Sequence, residues 1–270
     1  MPLTLGLPYK PDVQFTPLYV AQARRHFAEQ GLEVTLQYGD ESQFLRLLAA
    51  GDLDATIASG EQVILARGAG IPVKYVTTWY QRFAGVVFSL DPELASPQSL
   101  VGRRVGLPVQ SGASYIGWLA LLAASDIDPA SVPTEVIGFS QLAAVLGGRV
   151  EAAVGYAANE PVQLRAQGHD VTVIDVAEYF NLVSNGLVVS DRDIAERPDV
   201  VTGLVKALLG SIRDCLLDPD AAFAVALEYV PEAADGSVRE RQRAVLEASM
   251  PYWVGDPAVS DSLGTIDPEA

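Results

Sequence analysis

Apolar runs alternate with amphipathic segments from the first residues of the chain. LTLGLP at Leu3–Pro8 predicts a strand, and LYVAQARRHFAEQGL predicts an amphipathic helix that ends at Gly31. The same alternation continues through EVTLQYG and SQFLRLLAAGD, through LDATIAS and EQVILARGAG, and into IPVKYVTTW. Strands that alternate with helices at this spacing are typical of a parallel sheet with helices on its faces.

Two longer apolar strands divide this pattern. The first is AGVVFSLDP (Ala84–Pro92) and the second is NGLVVSD (Asn185–Asp191). Between them the alternation starts again, and after the second only helical patterns follow. We therefore predict an α/β protein with two discontinuous lobes, about residues 1–88 with 186–270 and about residues 89–185. A pair of crossing strands between lobes can absorb a hinge rotation, so we expect a cleft that closes on a ligand.

Composition narrows the kinds of partner. The 270 residues are 49% hydrophobic and 19% charged, which is typical of a globular protein with a large core. A net charge of −16 with only 18 Lys and Arg argues against nucleic acid or an anionic membrane surface as a partner, because both are bound by clustered basic residues. Cys215 is the only cysteine, so the chain has no internal disulfide.

The stretch VGYAANEPVQL (Val154–Leu164) is the most informative local pattern. An apolar strand ends in Tyr156, and Asn159 and Glu160 precede Pro161, which suits the first turn of a helix. In parallel α/β sheets such strand-to-helix corners line the ligand crevice. The alternative is a purely structural corner, with Asn159 as N-cap and Glu160 offsetting the helix dipole.

Other predicted strand ends carry polar and aromatic residues. They comprise Gln14 and Phe15 before the first helix, Asp40 and Glu41 after the second strand, Ser59 and Glu61 after the third, and Trp79 and Tyr80 after the fourth. Ser111–Ser114 precedes a helix, where free backbone N–H groups could form an anion nest. We expect Phe15, Trp79 and Tyr80, with Tyr115, Tyr156 and Tyr179, to form stacking walls for a flat ligand.

Charged groups at these ends favour a neutral ligand. Lys10 and Arg82 are the only basic candidates, so a fully ionised sulfonate or phosphate would depend on backbone donors. Carboxylates recur there, and paired carboxylates could serve as general acid and base. The simpler interpretation, which we favour, is that they accept hydrogen bonds from ring amino, imino or hydroxyl groups.

Patterns typical of enzymes are missing from the sequence. His26 and His169 are isolated, and the chain contains neither G-x-S-x-G nor GxxxxGK[ST] nor the Cys-x-x-Cys or His-x-x-His spacing of metal ligands. We therefore predict no catalytic residue, no metal and no cofactor.

Several segments together resemble the extracytoplasmic solute-binding proteins of ABC importers. They are TPLYVAQARRHFAEQGLEVTL, LLAAGDLDATIAS, ARGAGIPV, AGVVFSLDP, SLVGRRVGLP and YAANEPVQL. The most similar branch binds the thiamine pyrimidine or related aromatic vitamins, and it also includes sulfonate and nitrate binders. The resemblance spans nearly the whole chain and implies a type II periplasmic-binding-protein fold of two Rossmann-like lobes.

The resemblance also implies a function. It implies that the protein captures a planar heteroaromatic vitamin or precursor and delivers it to the permease subunits of an importer. A flavin is slightly favoured over a thiamine pyrimidine because aromatic residues are numerous. It implies an extracytoplasmic location with the signal segment removed, and a family pattern that continues beyond LGTIDPEA. Three alternatives remain: a pyrimidine synthase on the same fold, a sulfonate or nitrate binder, and an effector-sensing domain. The His- and Cys-rich motifs of the synthases are missing from this sequence.

Overall fold

The structure is a computed structural model that describes residues 1–180, 182–254 and 263–265. Residues 266–270 of the segment LGTIDPEA lie outside the described residues. The chain forms two compact units. The first comprises residues 1–81 and the described residues from 183 onward, and the second comprises residues 82–182 apart from residue 181.

The first unit is built on a five-stranded sheet. Its strands are β1 (Pro2–Leu7), β2 (Glu33–Tyr38), β3 (Ala55–Ser59), β4 (Val73–Thr78) and β10 (Asn185–Ser190), in the order β2-β1-β3-β10-β4. β1 pairs in parallel with β2 and β3, while β10 runs antiparallel to β3 and β4. The carboxyl ends of β1, β2, β3 and β4 therefore lie at one edge of the sheet, together with the start of β10.

Helices follow the strands of this unit. They are α1 (Thr16–Ala23), α2 (His26–Glu29), α3 (Glu41–Ala50), α4 (Gly60–Gly68), α8 (Asp191–Glu196), α9 (Pro198–Leu217), α10 (Pro219–Tyr229) and α11 (Gly236–Trp253). On one side of the sheet, Leu45 and Leu48 of α3 and Val63 of α4 pack with Val73 and Val188 in a hydrophobic core. On α3 and α4, Asp40 and Ser59 are the N-caps, accepting from the N–H groups of Gln43 and Gln62.

The second unit repeats this arrangement. Its strands are β5 (Gly85–Ser89), β6 (Val105–Leu107), β7 (Thr134–Val136), β8 (Ala152–Tyr156) and β9 (Thr172–Asp175), in the order β7-β6-β8-β5-β9. Its helices are α5 (Gly112–Ala124), α6 (Gln141–Leu146) and α7 (Glu160–Ala166). In both sheets the parallel strands, numbered along the chain, lie side by side in the order second, first, third and fourth. The antiparallel strand lies between the third and the fourth.

The core of the second unit lies on both faces of its sheet. Along β5, Val87 packs with Trp118 and Leu121 of α5, whereas Val86 and Phe88 face the opposite side. Val86 and Phe88 pack there with neighbours that include Ala144, Val145 and Leu164, from α6 and α7. Burial on both faces explains why β5 is a continuous apolar run and not an alternating one.

The predicted parallel direction holds for four strands of each sheet and fails for the fifth. Each sheet contains one antiparallel strand, β10 in the first and β5 in the second, and these lie within the two long apolar segments identified in the sequence. The sequence pattern predicts that the chain passes from the first lobe to the second near residue 88. In the structure, all of β5 pairs within the second sheet, and the first stretch of the first compact unit ends at Gln81.

The first predicted helix is also interrupted. Arg25 adopts a left-handed conformation with φ of 67°, which separates α1 from α2. The break lets Arg24 and His26 reach the same carboxylate, Asp214 of α9, at 3.2 and 3.0 Å. Tertiary contacts with α9 therefore override the local helical pattern.

None of the helices within the described ranges has the length and apolar character needed to cross a membrane.

Candidate ligand-binding site

Three segments meet at the carboxyl edge of the first sheet. Ser59 of β3 is paired with Asn185 of β10, and the Gly60 N–H donates to the Ser184 carbonyl at 3.2 Å. The N–H groups of Trp79 and Tyr80 both donate to the Asn185 carbonyl, at 3.0 and 2.9 Å. The ends of β3 and β4 and the start of β10 are thus fixed to one another by backbone hydrogen bonds, at the edge where α/β sheets bind ligands.

Glu61 is the most unusual side chain at this edge. It lies in the first turn of α4 and is 7% exposed, and neither of its carboxylate oxygens has a hydrogen-bond partner among the described residues. Burial raises the pKa of Glu61 to about 7, and the charge of Glu41 adds to the rise. The Glu61 backbone N–H and the Ser59 hydroxyl lower that pKa in part, although neither meets the geometry of a hydrogen bond to the carboxylate.

Further polar side chains at the edge are buried without partners among the described residues, and Trp79 and Ser184 are two of them. The Trp79 indole N–H and the Ser184 hydroxyl have no hydrogen-bond partner among the described residues, and the two side chains are 1% and 3% exposed. Buried polar groups are normally paired, so several unpaired ones at one edge are typical of a site that awaits a ligand or water.

Trp79 lies within an aromatic cluster and not on an open wall. Its ring centroid is 5.2 Å from Tyr80, edge-on, 6.0 Å from Phe15 and 6.3 Å from Trp253. Phe15 and Tyr80 are buried as well. The structure thus brings Phe15, Trp79 and Tyr80 together in the packed interior of the first unit, and their contact with a ligand stays a prediction.

Asp40 and Gln14 lie near this edge in local capping roles. Asp40 is exposed and caps α3 through the Gln43 N–H at 2.9 Å. Gln14 is half-buried, and both its backbone N–H and its side-chain amide donate to Asp12. Neither residue joins the group of unpartnered side chains around Glu61.

In the second unit, the corner at Asn159 and Glu160 is satisfied internally. Glu160 Oε2 accepts from the Tyr156 N–H at 2.9 Å, and Asn159 Oδ1 accepts from the Gln163 side chain at 2.6 Å. Both residues are buried, whereas Tyr156 is half-buried. Asn159 is the N-cap residue of α7 by position, but its side chain makes no capping hydrogen bond. The Glu160 carboxylate thus serves the local backbone, and contact of Asn159 or Glu160 with a ligand stays a prediction.

The other predicted residues of the second unit remain accessible. Ser111 is the N-cap residue of α5 by position but its side chain makes no capping hydrogen bond, and Tyr115 follows in the first turn. Both are half-buried, and Tyr179 is 39% exposed beyond β9. Arg82 forms an ion pair with Asp175 at 2.6 Å, so one of the two basic candidates is neutralised.

Of three further contributors to the edge of the first sheet, the sequence analysis named Glu41 and missed Ser184 and Trp253. Glu41 is buried and its Oε1 accepts from the Ser59 N–H at 2.5 Å, which ties α3 to β3. Ser184 precedes β10, and Trp253 ends α11, far from Trp79 in sequence. A carboxylate after a strand was a signal for Glu41, whereas no local pattern identifies Ser184 or Trp253.

Among residues 1–180, 182–254 and 263–265, no three His, Cys, Asp or Glu side chains are grouped so as to hold a metal ion.

Solved structures share this architecture. The alkanesulfonate-binding protein SsuA from Xanthomonas axonopodis pv. citri bound to MOPS superposes with a TM-score of 0.71 at 16% identity, covering 94% of this chain and 84% of that chain. A Candida albicans gene product with the generic periplasmic binding protein fold gives a TM-score of 0.62 at 15% identity, covering 100% and 99%. The two sheets of matching strand order, with these likenesses, define a protein of the type II periplasmic-binding-protein fold and confirm the predicted fold class.

Sequence comparison identifies the family. The model of the family described as NMT1/THI5 like matches residues 12–222, and the chain belongs to this family. The riboflavin-binding protein RibY of Chloroflexus aurantiacus is 42% identical over 270 residues, covering 98% of this chain and 76% of that protein.

More distant relatives are named for different functions. The formylaminopyrimidine-binding protein of Halalkalibacterium halodurans is 29% identical, covering 84% of this chain and 70% of that protein. A 4-amino-5-hydroxymethyl-2-methylpyrimidine phosphate synthase of Saccharomyces cerevisiae, THI13, is 22% identical, covering 89% and 75%.

Proposed function

We propose that this protein is the substrate-binding protein of an ABC importer and that its ligand is a planar heteroaromatic vitamin, riboflavin before a thiamine pyrimidine. The observation that carries the proposal is the 42% identity to a riboflavin-binding protein over 98% of the chain. The distant synthases are only 22% identical, so we favour binding over catalysis.

The side chains at the carboxyl edge of the first sheet, and the pairing of Arg82 in the second unit, support a flat and largely uncharged ligand. Phe15, Trp79 and Tyr80 form a buried aromatic cluster at the carboxyl edge of the first sheet, and Glu61 supplies carboxylate oxygens without a partner among the described residues at the same edge. Offset stacking on such rings contributes about 0.5–1.5 kcal/mol beyond simple burial. Arg82 is already paired with Asp175, which disfavours a sulfonate or nitrate.

Calorimetric titration with riboflavin and with formylaminopyrimidine tests the proposal. We expect saturable binding of riboflavin, and weaker or no binding of an alkanesulfonate. Mass spectrometry of ligand released from natively purified protein provides an independent test. Binding of formylaminopyrimidine alone would transfer the assignment to the thiamine-precursor branch. Turnover of a bound pyrimidine precursor would instead support the synthase alternative.

Partners and location follow from the same proposal. A substrate-binding protein delivers its ligand to permease subunits, so we expect an extracytoplasmic location and association with a membrane only through the permease or an N-terminal anchor. Closure of two lobes on the ligand, with the further candidates Ser111, Tyr115, Tyr156 and Tyr179, stays a prediction.

A further inference from the structure

The Glu61 carboxyl group is buried without a hydrogen-bond partner among the described residues. It is 93% buried, at the point where the end of β3 is hydrogen-bonded to Ser184 and the end of β4 to Asn185. Both oxygens lack a partner among the described residues. An unpaired buried carboxylate costs several kcal/mol, so a fold that keeps one has a use for its two oxygens.

The surroundings of Glu61 favour the neutral acid. Burial disfavours the charged form, and Glu41 of α3 contributes a like charge. The Tyr75 hydroxyl of β4 donates to the Ser184 carbonyl at 3.1 Å and not to Glu61. Within the described ranges, Glu61 forms no ion pair with Lys, Arg or His. A neutral carboxyl group offers one donor and one acceptor side by side, whereas a carboxylate offers only acceptors.

We propose that Glu61 recognises the ligand as a neutral carboxylic acid, its O–H donating to a ring acceptor while its carbonyl oxygen accepts from the adjacent ring N–H. This inference rests on the proposed function. The ligand class is a heteroaromatic ring whose edge carries an N–H donor beside an acceptor. The imide edge of a flavin has this pattern, and so does the amino group beside a ring nitrogen in an aminopyrimidine.

Ionisation of Glu61 removes the donor and turns a carboxylate toward the ligand's acceptor atom. The apparent dissociation constant then rises as the neutral fraction falls, because only that fraction is competent to bind. With a pKa of about 7, the constant for riboflavin rises about tenfold between pH 6 and pH 8. The imide of riboflavin stays protonated in this range, so the change reports on the protein.

Substitutions at Glu61 distinguish the role of its neutral form from that of its ionised form. Glu61→Gln keeps a donor beside an acceptor and does not titrate, so we expect riboflavin binding with no pH dependence between pH 6 and pH 8. Glu61→Ala loses both groups and binds about tenfold or more weakly than wild type at pH 6. Glu29→Gln makes the same chemical change at an exposed site on α2 and keeps the wild-type profile. Melting temperatures establish that each variant is folded.

A ligand lacking the ring N–H gives a second test. 3-Methylriboflavin should bind wild type at pH 6 about tenfold more weakly than riboflavin, and it should bind Glu61→Ala about as well as riboflavin does. Equal pH profiles for wild type and Glu61→Gln, or an equal effect of methylation in wild type and Glu61→Ala, would overturn the inference while leaving riboflavin binding established. Failure of wild type to bind riboflavin and formylaminopyrimidine alike would instead overturn the proposed function.

Discussion

Glu160 Oε2 accepts the hydrogen bond of the Tyr156 backbone N–H at 2.9 Å and closes the turn between β8 and α7. Gly155 makes room for this contact, because a Cβ there would lie 2.6 Å from the same oxygen. The corner is therefore built around a carboxylate that serves the backbone.

Truncation of this carboxylate should destabilise the second unit. Glu160→Ala leaves the Tyr156 N–H without its charged acceptor, and we expect a loss of about 1.5–3 kcal/mol in the free energy of unfolding. Glu160→Gln keeps an oxygen acceptor and should lose only a few tenths of a kcal/mol through the helix dipole. Urea denaturation of the three proteins measures both changes, and an unchanged midpoint for Glu160→Ala would contradict the structural role.

Trp79→Ala should be strongly destabilising. The side chain is 1% exposed and packs against Phe15, Tyr80 and Trp253, so its removal leaves a large cavity. We expect a loss of about 3–5 kcal/mol in the free energy of unfolding, and a smaller loss for Trp79→Phe. Denaturation followed by circular dichroism measures this, and a change below about 1 kcal/mol would place the ring outside the core.

The buried acid makes stability depend on pH in a defined direction. The pKa of Glu61 is raised to about 7 by burial, so the folded protein holds this proton more tightly than the unfolded chain does. Stability is then highest below the unfolded pKa of about 4.5 and falls as pH rises to about 7, by about 3 kcal/mol from this group alone.

Glu61→Gln isolates this contribution because other titrating groups are common to both proteins. The difference in unfolding free energy between the variant and wild type should grow between pH 5 and pH 7 in the absence of ligand. A difference that is constant over that range would show that Glu61 titrates normally.

Asp214 should contribute stability with the opposite pH dependence. Although burial alone would raise the pKa of Asp214, hydrogen bonds from His26 and Arg24 bring it below its usual value. This stabilisation is present above the unfolded pKa of about 3.9 and is lost as pH falls through the lower folded pKa. Because these side chains are partly exposed, we expect Asp214→Asn to cost only about 1 kcal/mol at pH 7, measured by urea denaturation. A difference between the two proteins that persists well below pH 3 would contradict this account.

Sequence patterns were sufficient for the α/β class and for most strands and helices. β5 and β10 fall within the two long apolar segments because strands buried on both faces leave an unmistakable signal. The direction of those strands and the break at Arg25 depend on contacts between distant segments, which local periodicity does not report.

The site was harder to predict than the fold. Strand ends directed attention to Glu61, Trp79 and Tyr80, which the structure places at one edge of the first sheet. The pattern could not distinguish a carboxylate held by the backbone, Glu160, from one without a partner among the described residues, Glu61. Both follow a strand and begin a helix. They differ because a backbone N–H donates a hydrogen bond to the Glu160 carboxylate and none donates to that of Glu61 among the described residues. This difference depends on three-dimensional geometry and not on local sequence.

The shared strand order also constrains the sequence in which the chain folds. All five strands of the second sheet lie between residues 85 and 175, so that sheet can form as soon as its own segment has been synthesised. In the first sheet, β4 is joined to β3 only through β10, which is synthesised more than a hundred residues later. The first sheet therefore keeps an open edge until β10 (Asn185–Ser190) inserts between β3 and β4. Insertion of β10 is the late, non-local step of folding. Until then, β3 and β4 are exposed to incorrect strand pairing.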